Sequence, residues 1–277
     1  VSIRGLIQPL ERGSCSYFSE REAATEILIV DSVSESEFVS LLNMGFRHFG
    51  RIFFRPHCPQ CRRCIPIRVD LRRFRCGRSL RRVLSKAAGY TVSYGRPYPD
   101  RRIYELYTAH KEKFGTDRRE SYATFFDSFR GRFPFSYQLS IFDHDRLIAV
   151  SYFDAVSPPP AGSLSCNPYP GDRGGTGILS AVYCFYDLSY EQASLGTLAI
   201  LKEIEYARRH RIRYIYLGYC IEENRHMRYK SRFYPNQLLE RENTWVEYIG
   251  RERVPTEEGR DAAEKGFLPE NRISPAR

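Results

Sequence analysis

No stretch of the 277 residues approaches the ~20 consecutive apolar positions that a membrane-spanning helix requires, so no membrane partner is expected. The first residues lack the basic-then-apolar layout of a secretion signal. The eight cysteines also lack the look of a secreted disulfide framework, because three stand at C-x-x-C-x-x-C spacing and the rest are scattered. A cytoplasmic protein is the expectation. Acids are nearly missing from one segment: between Arg47 and Lys86 there are thirteen Lys or Arg and a single acid, Asp70. That stretch holds a charge of +12 against a chain total of +10, and the remainder is close to neutral. Twelve of its bases are Arg, which forks onto phosphate and stacks on bases, and Phe53, Phe54 and Phe74 lie among them. This pattern favours nucleic acid over a membrane surface as partner, the alternative being a basic face that only keeps the protein soluble.

What is present is enough apolar material for a core, 42% of the chain, in a length that suggests two domains. Residues 1–93 are read as a smaller basic domain containing the cysteines, residues 101–250 as the larger domain, and residues 251–277 as a loose polar tail. Residues 1–14 look like an extended lead-in, followed by a strand over 26–30. Ser34 and Glu37 form a capping box ahead of a short helix with Phe38, Leu41 and Leu42 on one face. Strands are expected over 51–55 and 65–71, with an arginine-rich turn or helix start over 74–82 and a linker over 94–100. Ile103, Leu106, Tyr107 and His110 share one helical face, and Ser121 is placed to cap a helix over 122–129. Three strands follow, over 137–142, 147–153 and 178–186, interrupted by a long, mobile surface loop over 155–177. A helix over 191–210 and a strand over 213–219 complete the order. The architecture is thus α+β.

Cys58, Cys61 and Cys64 place three thiols in a tight turn, with Cys15 or His57 available as a fourth ligand for zinc or an iron-sulfur cluster. A structural zinc site usually has a second C-x-x-C pair, which is missing here, so reduced, packing cysteines fit the spacing equally well. The second reactive stretch begins where the strand Tyr214 to Leu217 breaks at Gly218. Tyr219, Glu222, Glu223, Asn224, His226, Tyr229 and Lys230 then follow within a dozen residues. A buried strand leading through Gly into such groups is one way α/β enzymes present a site, and a strand end followed by a solvated helix is the other reading.

Ordered motifs along most of the chain carry a resemblance. They are Cys15-Ser16-Tyr17, Gly45-Phe46-Arg47, Cys58 to Cys64, Pro66-Ile67-Arg68-Val69 and Phe74 through Arg82 in the first half. In the second they are Ser180-Ala181-Val182-Tyr183, Phe185-Tyr186-Asp187, Ser194-Leu195-Gly196-Thr197, Tyr216-Leu217-Gly218-Tyr219 and Met227-x-Tyr229-Lys230-x-x-Phe233-x-Pro235. The chain resembles the arginyl-tRNA-protein transferase family in its bacterial branch, with Phe18 where the eukaryotic C-x-x-C has its second cysteine. The resemblance implies a GNAT-like acyltransferase domain that moves an aminoacyl group from an aminoacyl-tRNA to the α-amine of a protein. Leucine is the expected donor, with arginine as the alternative, and substrates with acidic N-termini are the expected acceptors. Arg78, Arg81 and Arg82 would hold tRNA, with Ser194 and Gly196 also binding substrate. Asp187 would accept the amine's proton, and Tyr219, Tyr229 and Lys230 would stabilise the oxyanion or hold the acceptor's carboxylate. Val182, Phe185 and Leu217 would line a leucyl pocket, whereas an arginyl group would call on Glu222 or Glu223. No nucleotide or coenzyme A is expected as cofactor: a coenzyme A-dependent acetyltransferase would want a richer glycine turn than Ser194-Leu195-Gly196 offers. A non-enzymatic RNA-binding protein is the remaining alternative.

Overall fold

Strand-forming runs separated by turn residues recur along the whole chain, and they sort into two sheets. The computed structural model describes residues 4–7, 10–112, 120–158, 177–241, 244–249 and 252–255. The smaller sheet contains β1 (Arg4–Ile7), β2 (Glu11–Ser14), β3 (Glu22–Ser32), β4 (Arg47–Phe49) and β5 (Ile52–Pro56). β3 pairs with β1, β2 and β5, and β4 closes the far edge. The expected lead-in over 1–14 therefore supplies two strands. Helix α1 (Glu35–Asn43) joins β3 to β4, and its start is the capping box read from sequence: Glu37 N–H donates to Ser34 Oγ at 3.3 Å and Ser34 N–H to Glu37 Oε2 at 2.9 Å.

The larger sheet is mixed. Its segments are β6 (Ile65–Asp70), α2 (Arg78–Lys86), β7 (Tyr90–Gly95), α3 (Arg101–Glu112), α4 (Tyr122–Phe129), β8 (Ser136–Asp143), β9 (Arg146–Val156), β10 (Ile178–Tyr186), α5 (Leu195–Arg209), β11 (Tyr214–Cys220), β12 (Asn236–Arg241), β13 (Thr244–Ile249) and β14 (Glu252–Pro255). The spatial order is β14-β13-β12-β6-β11-β10-β9-β8-β7. Every neighbouring pair is antiparallel except β10 and β11, which run parallel with α5 as the crossover.

Five expectations change. The division at residue 93 does not follow the sheets, since β6, α2 and β7 precede it and belong to the larger layer. The first two residues of the proposed linker, Tyr94 and Gly95, are the end of β7. The helix expected from residue 191 begins at Leu195, because Ser194 takes a left-handed φ of 55° and separates α5 from a 3-10 turn, Leu188–Ala193. Part of the expected tail is β14, paired with β13, and the rest of it, 251 and 256–277, lies outside the described residues. Of the long loop, 155 and 156 close β9, while 159–176 also lie outside the described residues.

The large sheet is covered on both faces, which is why β11 is buried at every position rather than at alternate ones. On one face Leu198, Leu201 and Ile204 of α5 pack against Leu139, Ile148 and Phe153, and each fully buried Leu is worth roughly 1.5–3 kcal/mol. On the other, α1 and the small sheet bury Phe38 and Phe53 with Phe133, Tyr214 and Trp245, while α3 and α4 bury Tyr107, Phe125 and Phe129 with Phe185. Polar bonds fix the layers: His48 Nε2 lies 2.7 Å from Asp154 Oδ2, and Ser136 Oγ donates to Asp154 Oδ1 at 2.6 Å. Arg68, 0% exposed, lies between the rings of Tyr214 and Trp245, 4.0 and 4.3 Å from their centroids, and Nε donates to Gln237 Oε1 at 2.6 Å.

Candidate active site

The parallel pair β10 and β11 stays together only from Ile178 to Ser180 against Tyr214 to Tyr216, and beyond that register the two strands have no mutual pairing. Each is irregular just past the separation, β10 between Ala181 and Tyr183 and β11 between Tyr216 and Gly218. The opening receives side chains from outside the pair. Arg47, 8% exposed on β4, donates from Nη1 to Ser180 Oγ at 3.0 Å and from Nη2 to the Ala181 carbonyl. Lys230, from the 3-10 turn Arg228–Arg232, donates from Nζ to the Tyr219 carbonyl at 3.0 Å. A Cβ at Gly218 would lie 3.4 Å from Lys230 Nζ and 3.5 Å from Arg47 Nε, so two cations close on one glycine. Burial, with Arg47 adding to it, pulls the Lys230 ammonium down to about 7. Using one of three donors on Tyr219, Lys230 keeps others for a ligand.

Gly218 has φ 85°. Gly218→Ala leaves the methyl at ordinary contact distance from both cations, so its cost is conformational. A loss of roughly 1–2 kcal/mol in chemical denaturation is expected, with the site's charges still in place.

Facing this opening from α5 is Glu203, 0% exposed. Ser151 Oγ donates to its Oε1 at 2.7 Å, and Oε2 has no hydrogen-bond partner among the described residues. Burial pushes this carboxyl up to about 8, against the opposing pull of Ser151 and Arg47. Tyr229, half-buried against the α5 face, feels burial first, then Cys184, Glu203 and Tyr186, all raising its phenol.

The residues singled out from sequence are only partly brought together. Lys230 and Tyr229 flank the opening. The Tyr219 backbone does as well, but its hydroxyl is directed away, donating to the carbonyls of Gly45 at 3.0 Å and Phe54 at 3.3 Å. Asp187 ends β10 and caps the following turn: Oδ1 accepts from Ser189 N at 2.9 Å and Ser189 Oγ at 2.6 Å, and Oδ2 from Arg146 at 2.5 Å. Burial raises the Asp187 carboxyl, and Ser189 with Arg146 outweighs it, holding it below the usual range. With both oxygens engaged and the carboxylate held ionised, it is a weak proton acceptor. Val182 and Phe185 pack with α3 and α4 while Leu217 packs on the α5 face, so these three do not line one pocket. Glu222 and Glu223 are exposed, Glu223 lying 3.3 Å from Arg63. Arg47 and Glu203 were not singled out from sequence.

Arg78, Arg81 and Arg82 are exposed on α2 and form no ion pair among the described residues. Lys86 Nζ donates to Gln192 O at 3.4 Å and Arg208 Nη2 to Phe74 O at 3.0 Å, so α2 runs antiparallel to α5 and its last turn reaches the start of α5, where Ser194 and Gly196 stand. The +12 of the basic segment is not all available. Arg47 and Arg68 are buried, and Arg51, Arg55, Arg63 and Arg73 pair with Asp31, Glu26, Glu223 and Glu247.

The four cysteines approach one another without forming a ligand set. Burial first, then Cys15, Cys61 and Cys58, pushes the Cys64 thiol up to about 12. Cys58 Sγ instead accepts from Ala24 N at 3.4 Å and donates to Ala24 O at 3.6 Å. Among the described residues no group of three or more His, Cys, Asp or Glu is spaced to hold a metal ion, so Cys15, Cys58, Cys61 and Cys64 do not fit the expected zinc or cluster as they stand. Phe18 is occupied by cations, with Arg63 and Arg21 at 5.1 and 5.5 Å from its ring centroid.

Two family models match the chain in order: Arginine-tRNA-protein transferase, N terminus, over residues 13–82, and Arginine-tRNA-protein transferase, C terminus, over residues 174–240. The chain is 33% identical over 242 residues to the aspartate/glutamate leucyltransferase of Saccharophagus degradans, covering 85% of this chain and 93% of that one. It is 34% identical over 233 residues to the enzyme of the same name from Pseudomonas putida, covering 82% and 90%. Among solved structures, that of FemX is similar with a TM-score of 0.46 at 11% identity, over 82% of this chain and 72% of that one.

Proposed function

We propose, because this chain belongs to the arginine-tRNA-protein transferase family and within it to the bacterial branch, that it moves leucine from Leu-tRNA to the α-amine of proteins beginning with Asp or Glu. The observation that carries the acceptor half is the pair of cations that close on Gly218, buried Arg47 and half-buried Lys230. An N-terminal Asp or Glu brings a side-chain carboxylate, and Lys230 with Arg47 offers it charge-assisted hydrogen bonds. The donor half rests on the relatives, together with the exposure of Glu222 and Glu223, which leaves them unsuited to hold an arginyl side chain.

The larger layer is a GNAT-like acyltransferase domain on this reading. What supports it is the antiparallel run β8-β9-β10, the crossover through α5 and the separation of β10 from a parallel β11. The arginines of α2 hold the tRNA, whose 3′ end passes from the last turn of α2 to Ser194 and Gly196 at the start of α5. The ester then lies at the opening between β10 and β11. There the acceptor's nitrogen bonds to the ester carbon, the bond to the 3′ ribose oxygen breaks, and Tyr229 and Lys230 donate to the developing oxyanion. We place the reaction in the cytoplasm, where charged tRNA is found. Among the described residues no helix is long and apolar enough to cross a membrane.

The purified chain, given Leu-tRNA, should label peptides starting with Asp or Glu and leave one starting with Ala unlabelled. Arg-tRNA and acetyl-CoA, offered separately, should give little product. Arginine transfer without leucine transfer reverses the donor assignment, equal labelling of the Ala peptide reverses the acceptor assignment, and acetylation alone rejects tRNA chemistry.

A further inference from the structure

A buried polar row crosses the large sheet beneath the smaller layer. Ser136, Asp154, Ser180, Tyr216, Arg68 and Gln237 stand opposite one another in successive strands, β8, β9, β10, β11, β6 and β12, so their side chains share one face. All six are buried. The next row on that face, Val156, Ile178 and Tyr214, packs in one apolar cluster with Phe38 and Phe53, so packing alone does not call for polar groups here. The smaller layer answers the polar row from one short stretch. Asn43 Oδ1 accepts from the Tyr216 hydroxyl at 2.8 Å, Arg47 donates to Ser180 Oγ, and His48 Nε2 lies 2.7 Å from Asp154 Oδ2. His48 is itself held: Nδ1 donates to the Gly50 carbonyl at 3.1 Å, since a carbonyl only accepts, and the ring stacks on Phe53 with centroids 4.9 Å apart. With Ser136 Oγ donating to Asp154 Oδ1, both carboxylate oxygens are engaged. Asp154 and Ser180 form a cross-strand pair at the last register before β10 leaves β11. Arg47 and His48, adjacent on β4, therefore grip adjacent strands at the edge of the opening.

We infer that the bond between His48 and Asp154 is a latch that sets the position of Arg47, so that both are positioning residues for recognition of the acidic acceptor. This inference rests on the aminoacyl-transfer reading, and neither residue touches substrate. Arg47 comes from a three-residue strand at the edge of the smaller sheet, and the pairing of β4 with β5 does not fix where one layer lies on the other. Apolar contacts between the layers are non-directional. A bond of 2.7 Å to a carboxylate already held by Ser136 is directional, and it fixes β4 against β9 one residue away from the guanidinium. A displacement of about 1 Å would take Arg47 Nη1 off Ser180 and Nε away from Gly218, and misplacements of that size can cost about 100-fold in rate. The smaller layer thus lends the site one of its two cations, and the polar row decides where that cation stands.

The test is kcat and KM of the full chain with Leu-tRNA and an Asp-initiated peptide, alongside thermal unfolding. His48→Phe combined with Asp154→Leu replaces the pair by apolar groups of similar volume, keeps a ring on Phe53 and strands no charge, so the fold should melt close to the unaltered chain. Its KM for the peptide should rise about 10-fold or more, while kcat and the KM for Leu-tRNA stay within about twofold. A merely structural role would instead lower kcat through loss of folded enzyme and leave KM alone. Asp154→Asn removes the charge but can keep both bonds, accepting from Ser136 and donating to His48 Nε2, and should hold the peptide KM within about threefold. Should the double variant not fold, Asp154→Ala is compared with Asp154→Asn at reduced temperature, where only Asp154→Ala should show the raised KM. An unchanged peptide KM in the double variant, a loss confined to kcat, or equal impairment by Asp154→Asn and Asp154→Ala overturns the inference while leaving the function intact. A wild-type chain that transfers nothing from Leu-tRNA overturns both.

Discussion

Reversing Arg78, Arg81 and Arg82 to Glu together should abolish tRNA binding while the melting temperature stays close to that of the unaltered chain. These three stand in solvent on one side of α2, whose buried contact is Leu80, so no packing is lost. With Arg47 and Arg68 buried and five other arginines paired, Arg72 with Asp70 among them, the residues from Arg75 to Lys86 carry most of the usable positive charge. Each phosphate contact releases about 0.7–0.9 of a counterion, so wild-type affinity should fall steeply with salt. The slope of log affinity against log salt should lose roughly 2–3 units if all three arginines touch phosphate and are replaced by Ala. Filter binding of Leu-tRNA between low and physiological salt reads both effects. A slope indifferent to these substitutions would move the tRNA elsewhere on the protein.

The second large effect is expected at Lys230. Lys230→Met keeps a chain of similar length beside Gly218 and removes the charge. An acidic acceptor then loses a buried partner, a deficit of about 2–5 kcal/mol, or at least about 30-fold in kcat/KM for an Asp-initiated peptide. The pH dependence has a definite sign. Lys230 is cationic in the native protein below about 7 and neutral above, so wild-type KM for the Asp peptide should rise as pH increases through that value. In Lys230→Met it should be flat there. Stability runs the opposite way. From about 7 up to the ordinary lysine value, the unfolded chain holds a proton that the native state has released, so the native state gains on the unfolded one as pH rises. Below that window the full cost of a buried cation is present, and Lys230→Met should therefore stabilise the fold more at pH 6 than at pH 9. Equal stabilisation at both would mean that the ammonium is solvated rather than buried.

Local signals in the sequence were enough for many elements. Ser34 and Glu37 fix the start of α1 by bonds within one turn, and Ser121 starts α4 through its Oγ alone, which accepts from Thr124 N–H at 3.1 Å. The order β8-β9-β10-α5-β11 was readable because each segment keeps one hydrophobic period. Arg47 was not readable as a site residue: among twelve arginines in one basic block nothing local distinguishes the two, Arg47 and Arg68, that the fold buries. Glu203 carried a faint signal, an acid at the fourth position from both Ala199 and Ala207 on a helix whose apolar face is otherwise unbroken. Asp187 misled because a carboxylate at a strand end looks available. The Asp-x-Ser sequence that lets Ser189 bind it was visible, but Arg146 reaches it only through the pairing of β9 with β10.

The position of β6 has a consequence for how the chain is made. Its residues pair with β11 on one side and β12 on the other, and Asp70 lies opposite Tyr214. A ribosome adding 5–20 residues per second releases β6 on the order of ten seconds before its partner roughly 140 residues downstream exists. During that interval an apolar strand bearing Ile65, Ile67 and Val69 has both edges open, next to a block of arginines that repels other copies of itself. The basic segment thereby shields a strand that must wait, and the central sheet can close only once nearly the whole chain has been synthesised.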